Sequence, residues 1–197
     1  MRQCGAARIT GQRALMGGLN MGINMEQLEE RIRLLTPEGI GGKRDLLPLY
    51  ADGKALGTIV EYLAEPFRGK VDRVCSPESL GLILGSMLAH ELGVGLVVIR
   101  RNRQFMIDPD EQVTASYINH RDQVTALITE KCLLPAGSRV LLADDWMSTA
   151  ATVQACSNMI EDAGCKVAGI ATVGVNYRSA AKDMIDAGNV RYVYCEE

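Results

Sequence analysis

The sequence predicts an α/β domain, a single central and mostly parallel sheet flanked by helices. Strand-like and helix-period segments alternate along the chain, the pattern of strand–helix–strand crossover units. The strand-like runs, such as Gly95-Leu96-Val97-Val98-Ile99 and Val140-Leu141-Leu142-Ala143, are continuously apolar rather than alternating, so both faces of the sheet are expected to be covered. The 197 residues, 47% apolar and 23% charged, suit one soluble domain with a substantial core.

Taken in order, regular structure is expected from Met25. Leu28, Ile32 and Leu35 recur at i, i+4 and i+7, which predicts an amphipathic helix ending before Thr36-Pro37. Gly39 to Gly42 reads as a connector. Asp52 is a candidate N-cap for a second helix, with Leu56, Ile59, Val60 and Leu63 facing the core. A strand is predicted over Lys70–Cys75, a helix over Ser79–Leu92 stopped by Gly93, and a strand over Val94–Ile99. Residues 101–123 are polar and aperiodic, which reads as a long loop or weak hairpin serving as a lid. Gln123–Thr129 fits strand and helix equally. Then come a strand over Val140–Asp144, a helix over Thr152–Ala163 closed by Gly164, a strand over Val167–Val173, a helix over Ser179–Ala187 and a last strand over Val190–Tyr194.

Composition excludes several classes of function. The formal charge of −3 gives no electrostatic basis for binding nucleic acid. No apolar run approaches the roughly 20 residues that span a bilayer. Cysteines at 4, 75, 132, 156, 165 and 195 lack ligand spacing, and with His90 and His120 as the only histidines a zinc site is not expected. Cys75 and Cys165 read as buried reduced thiols. Residues 1–25 contain no acid, three arginines and five glycines. Without an apolar stretch of signal-peptide length, 1–24 is expected to be a disordered extension, although transit peptides share its basic bias. The domain is assigned to 25–197, in the cytoplasm.

The richest segment runs from Arg139 to Thr152. An apolar strand ends in Asp144-Asp145. Trp146-Met147 and the small, hydroxylated run Ser148-Thr149-Ala150-Ala151-Thr152 follow, leading into a helix. Unpaired N–H groups at a helix start suit a phosphate, whereas adjacent carboxylates repel one unless they serve hydroxyls or a divalent metal. A sugar phosphate meets both conditions. The segment resembles the 5-phosphoribosyl-1-pyrophosphate (PRPP) signature of the type I phosphoribosyltransferases, with alanine in both loop glycine positions.

Three further segments carry the resemblance. Glu78-Ser79-Leu80-Gly81 is similar to the pyrophosphate loop of purine members, with Leu80 where adenine-specific members carry arginine. Arg100-Arg101-Asn102-Arg103 resembles the basic pair from which the family's lid springs, although Gln104-Phe105-Met106 replaces the usual continuation. Arg44-Asp45-Leu46-Leu47-Pro48-Leu49-Tyr50-Ala51-Asp52 resembles a segment of adenine phosphoribosyltransferases, with Lys43 in place of the base-stacking aromatic. Ser116-Tyr117 is similar to the lid strand, with Asn119, His120 and Arg121 where a glutamate is usual.

The resemblance implies the type I fold with a small hood and a flexible lid. It implies transfer of phosphoribosyl from PRPP to a purine, adenine favoured, with Mg²⁺ carried by PRPP rather than by direct protein ligands. Asp144 and Asp145 would be the catalytic pair on the ribose hydroxyls. Ser148, Thr149, Ala150, Ala151 and Thr152 would hold the 5-phosphate. Glu78, Ser79, Leu80, Gly81, Arg100 and Arg101 would meet the pyrophosphate, and Lys43 and Arg44 the base. A homodimer is implied, with no nucleic acid or membrane partner. Two alternatives stay open: a xanthine/guanine-type transferase, and a regulatory protein that binds PRPP or nucleotide with little or no catalysis.

Overall fold

The computed structural model describes residues 24–37, 44–101, 108–119, 123–177 and 179–196. Helix α1 (Met25–Leu35) begins with a capping box, in which Asn24 accepts from the Gln27 amide and the Gln27 side chain accepts from the Asn24 amide. A short helix α2 (Leu47–Tyr50) precedes α3 (Gly53–Ala64), whose start is capped by Asp52 accepting from the Lys54 and Ala55 amides at 3.1 Å each. The rest alternates: β1 (Arg73–Pro77), α4 (Gly81–Leu92), β2 (Gly95–Arg101), β3 (Gln112–Ile118), β4 (Val124–Glu130), β5 (Arg139–Met147), α5 (Ala151–Asp162), β6 (Lys166–Asn176), α6 (Ser179–Asp186) and β7 (Val190–Glu196).

Seven strands form one sheet in the order β3-β4-β2-β1-β5-β6-β7. The five strands β2, β1, β5, β6 and β7 run parallel, and β4 and β3 add antiparallel at one edge. One core lies between the sheet and α1 to α4, including Leu28, Ile59, Leu63, Leu84, Leu88 and Trp146. The second lies beneath α5 and α6 and includes Cys75, Ile99, Leu142, Met159 and Ile185. Covering both faces buries eight of the nine β5 residues, which is why that strand reads as continuously apolar.

Several expectations are corrected. The polar stretch 101–123 holds strand β3, and Gln123–Thr129 resolves into β4; their side chains alternate in burial, a half-covered antiparallel pattern that aperiodic polarity concealed. Helix α4 starts at Gly81 rather than Ser79, because β1 continues through Pro77. Strand β5 runs on to Met147, so the acid pair lies inside it rather than at its end. Helix α2 was not anticipated; Asp45 accepts from the Leu47 amide at 3.0 Å and Pro48 occupies its first turn.

Candidate active site

The strand order reverses direction at β1. The connection through α4 leads to β2 on one side, while β5, β6 and β7 lie on the other. A crevice outside the carboxyl ends of β1 and β5 is therefore the ligand position that this topology favours. The two strands pair only at Arg73↔Val140, Val74↔Leu141 and Cys75↔Leu142. Beyond that register a side chain bridges them: Ser76 Oγ donates to the Ala143 carbonyl at 2.8 Å.

Asp144 and Asp145 follow that bridge, 5% and 7% exposed. The pleat changes phase there. Leu141 and Ala143 join the core under α1 to α4 and Val140 and Leu142 the opposite core, yet Trp146 joins the first and Met147 the second. Asp144 Oδ1 accepts from the Asp145 amide at 2.9 Å, and Thr172 Oγ1 donates to the Asp145 carbonyl at 3.1 Å. These contacts pin the backbone of the acid pair where the pleat changes phase.

Two helix N-termini open on the same place. At α4, a Cβ on Gly81 would lie 2.9 Å from Asp144 Oδ1 and 3.1 Å from Ser76 Oγ. One turn on, a Cβ on Gly85 would lie 2.5 Å from Ser76 Cβ. Both glycines let the helix start seat directly on β1 and β5. At α5, Ala150 occupies the N-cap position with φ of 62°, the sole positive-φ non-glycine among the described residues. Neither N-cap, Leu80 nor Ala150, makes a side-chain capping bond, as is also true of Leu46 at α2; beside Ala150, Thr149 Oγ1 accepts from the Ala151 amide at 3.4 Å. Ser148 and Thr149 precede this start, with Thr149 exposed, and Ala151 and Thr152 form its first turn.

The other anticipated residues distribute unevenly. Glu78 is engaged with β2: its Oε2 accepts from the Arg101 amide at 3.1 Å, so it braces the end of that strand. The Glu78–Ser79 peptide is cis, and Ser79 is exposed. Arg101 ends β2 on the face of Val97 and Ile99, the α5 side, with Arg100 on the other face by strand alternation. The Cys156 thiol of α5 is pushed up by burial, then by Asp144, and pulled back by Arg101. Arg44 is engaged elsewhere. Its Nε donates to Glu196 at 2.7 Å, its Nη1 to the Thr36 carbonyl at 2.8 Å, and its guanidinium stacks 5.1 Å above the Tyr194 ring. Lys43, Arg103, Phe105, Met106, His120 and Arg121 lie outside the described residues.

Three features went unassigned in the sequence. Trp146, 2% exposed, sits where Gly174 leaves room, since a methyl on Gly174 would overlap the indole. Its Nε1 donates to Asn176 Oδ1, and its ring lies 6.1 Å from Tyr194. A glycine inside an apolar strand was the available signal of close approach. Ser76 had no signal beyond its place at a strand end. Tyr50 belongs to the quoted Arg44–Asp52 segment, and its phenol is pushed up by burial, then by the charges of Asp145 and Asp144.

A model of the phosphoribosyl transferase domain matches residues 51–196. The chain belongs to the phosphoribosyl transferase family. Within it, the chain is 36% identical over 163 residues to an adenine phosphoribosyltransferase of Renibacterium salmoninarum, covering 78% of this chain and 87% of that protein. A Streptococcus uberis adenine phosphoribosyltransferase is 35% identical over 146 residues, covering 72% and 83%. The crystal structure of adenine phosphoribosyltransferase from Thermoanaerobacter pseudethanolicus superposes with a TM-score of 0.74 at 25% identity, over 88% of this chain and 100% of that one. The Giardia lamblia enzyme complexed with 9-deazaadenine shares the fold, with a TM-score of 0.75 at 21% identity over 89% of this chain and 99% of that one. The family fold and the seven-stranded sheet with five parallel strands agree.

Proposed function

We propose that this phosphoribosyltransferase transfers the 5-phosphoribosyl group of PRPP to adenine, giving AMP and pyrophosphate. Curated relatives named for adenine support the choice of base. The observation that carries the reading is the buried acid pair lying between the starts of α4 and α5, at the switch point of the sheet. PRPP has a phosphate group at each end and hydroxyls between them, which matches an anion-seeking helix start on each side and acceptor-only carboxylates in the middle.

In this proposal Asp144 and Asp145 accept from the ribose hydroxyls. The amides from Thr149 to Thr152, with the Ser148, Thr149 and Thr152 hydroxyls, hold the 5-phosphate. The start of α4 at Leu80 and Gly81, together with Arg101, meets the pyrophosphate. The purine nitrogen then bonds to the anomeric carbon as the bond from that carbon to the pyrophosphate oxygen breaks, and the proton on that nitrogen leaves to the departing pyrophosphate or to water. Positive charge gathers on the ribose, close to the acids, and positioning supplies most of the acceleration. Among the described residues no cluster of three His, Cys, Asp or Glu is built to cage a metal. Two hard carboxylates and a polyphosphate substrate fit Mg²⁺, which keeps water and substrate oxygens as ligands. When bound, Mg²⁺ offsets the charge on the pyrophosphate.

Free thiols at Cys75, Cys132, Cys156 and Cys165 support a reducing, cytoplasmic setting. A homodimer is proposed by analogy with the family alone. The test is a screen of adenine, hypoxanthine, guanine and xanthine with PRPP and Mg²⁺. AMP formation from adenine is expected, and no turnover with any base would remove the proposal. A second reading, PRPP binding without turnover, is favoured by the uncharged Leu80 side chain at the α4 start. Tight PRPP binding by calorimetry alongside a silent screen would select it.

A further inference from the structure

The sheet parts at the crevice. Strand β1 stays paired with β2 through Ser76↔Val98 and Pro77↔Ile99, and β5 stays paired with β6 through Ala143↔Ala171 and Asp144↔Thr172. Between β1 and β5 the ladder ends earlier, at Cys75↔Leu142. The next link across that gap is a side chain: Ser76 Oγ donates to the Ala143 carbonyl at 2.8 Å, and both residues are 0% exposed. Val74 and Cys75 carry the strand to this point with apolar side chains, so a hydroxyl buried there is explained by what it holds.

Helix α4 is built around the same hydroxyl. A Cβ on Gly81 would meet Ser76 Oγ at 3.1 Å and Asp144 Oδ1 at 2.9 Å, and a Cβ on Gly85 would meet Ser76 Cβ at 2.5 Å. The Ser76 side chain is thus confined between the helix start and the carbonyl that immediately precedes Asp144. In the PRPP reading, on which this inference rests, Asp144 accepts from a ribose hydroxyl and the start of α4 meets the pyrophosphate. Those two groups grip different parts of one ligand, so the distance between them has to match it. We infer that Ser76 is a positioning residue, which sets the distance between the Asp144 carboxylate and the start of α4 through its bond to the Ala143 carbonyl. It acts through Asp144 and touches no substrate itself.

The test is a double-mutant cycle on PRPP binding in the presence of Mg²⁺, titrated calorimetrically for wild type, Ser76→Ala, Asp144→Asn and the double variant. Alanine removes the donor and adds no bulk under the two glycines. The Asp144→Asn background keeps both phosphate seats, so PRPP still titrates there. Beside the native acid, Ser76→Ala is expected to raise the dissociation constant about tenfold, the worth of roughly one well-placed hydrogen bond. In the Asp144→Asn background the rise is expected to stay under threefold, because the group that Ser76 positions is already lost. A merely structural hydroxyl would weaken binding equally in both backgrounds. A rise under threefold beside native Asp144 would overturn the inference, as would a rise of threefold or more beside Asp144→Asn. Should Ser76→Ala fail to fold, Ser76→Cys, close in size and a weaker donor, enters the cycle under the same criteria. Absence of PRPP binding by the wild-type protein would overturn the functional reading itself, and that result is read before any variant is made.

Discussion

Asp144 and Asp145 are adjacent buried acids, and desolvating a carboxylate is costly unless partners or a ligand compensate. Asp145→Asn keeps the size and removes the charge. PRPP turnover is therefore expected to fall by about 100-fold or more, the effect of losing substrate positioning, while the melting temperature stays within a few degrees. Turnover within tenfold of wild type would show that the acids have another task. Ala150 presents an opposite balance. Its left-handed backbone at φ of 62° costs about 1–2 kcal/mol. Ala150→Gly relieves that, but loses about 0.8 kcal/mol of methyl burial and about 0.4–1 kcal/mol through a looser unfolded chain. The net change in a urea titration is expected to lie within about 1 kcal/mol of zero by these terms. The acids and the small-residue loop were legible in the sequence because adjacent carboxylates ending an apolar strand are conspicuous. The Ser76 bridge was not, since nothing local distinguishes a serine at a strand end from one whose hydroxyl donates to the neighbouring strand.

Among the elements, β1 and β5 are clamped at their amino ends and separate at their carboxyl ends. Asp72 accepts from the Arg139 amide at 2.8 Å and from its guanidinium at 2.7 and 3.0 Å, while the Asp72 amide donates to the Arg139 carbonyl at 2.8 Å. These bonds hold the Asp72 carboxyl down at about 2. A carboxyl depressed in the folded state adds stability above its unfolded value, and that stability is lost as pH falls from about 4 toward 2. Asp72→Asn should therefore lower the melting temperature at neutral pH and flatten the acid limb of a pH series. An unchanged acid limb would show that the exposed pair contributes nothing. At the other end of β5, Gly174→Ala drives a methyl into the Trp146 ring, with an expected loss of about 1–3 kcal/mol or more. The same melting measurement checks it, and a neutral result would mean that the indole has somewhere else to go. The parallel strands and their helices were legible from apolar runs and caps. The β3–β4 pair was not, because a half-exposed hairpin alternates weakly and resembles a polar loop until its register, Gln112↔Glu130 to Ile118↔Val124, is known.

For the molecule as a whole, two cores on either side of one sheet bury thiols that titrate with folding. Burial, then Cys165, pushes the Cys75 thiol up to about 12. A raised folded-state value means full stability below the unfolded thiol value near 9 and progressive loss above it. The slope is about 1.4 kcal/mol per pH unit, until about 12 is reached. Denaturant midpoints should decline from pH 9 to 11, and Cys75→Ala should flatten part of that decline; parallel slopes would assign it to other groups. Fold class and family were readable from the chain because an α/β sheet imposes the same pattern on every strand. The commitments of Arg44 to Glu196 and of Glu78 to Arg101 were not, since partners 152 and 23 residues away leave no local trace. The account rests on a phosphorylated pentose lying between the acid pair and the start of α5. Its most direct test is a crystal structure of the protein with ribose 5-phosphate. The account predicts the phosphate on the amides of Thr149 to Thr152 and the sugar hydroxyls on Asp144 and Asp145; a sugar phosphate bound elsewhere, with those amides turned from the crevice, would contradict it.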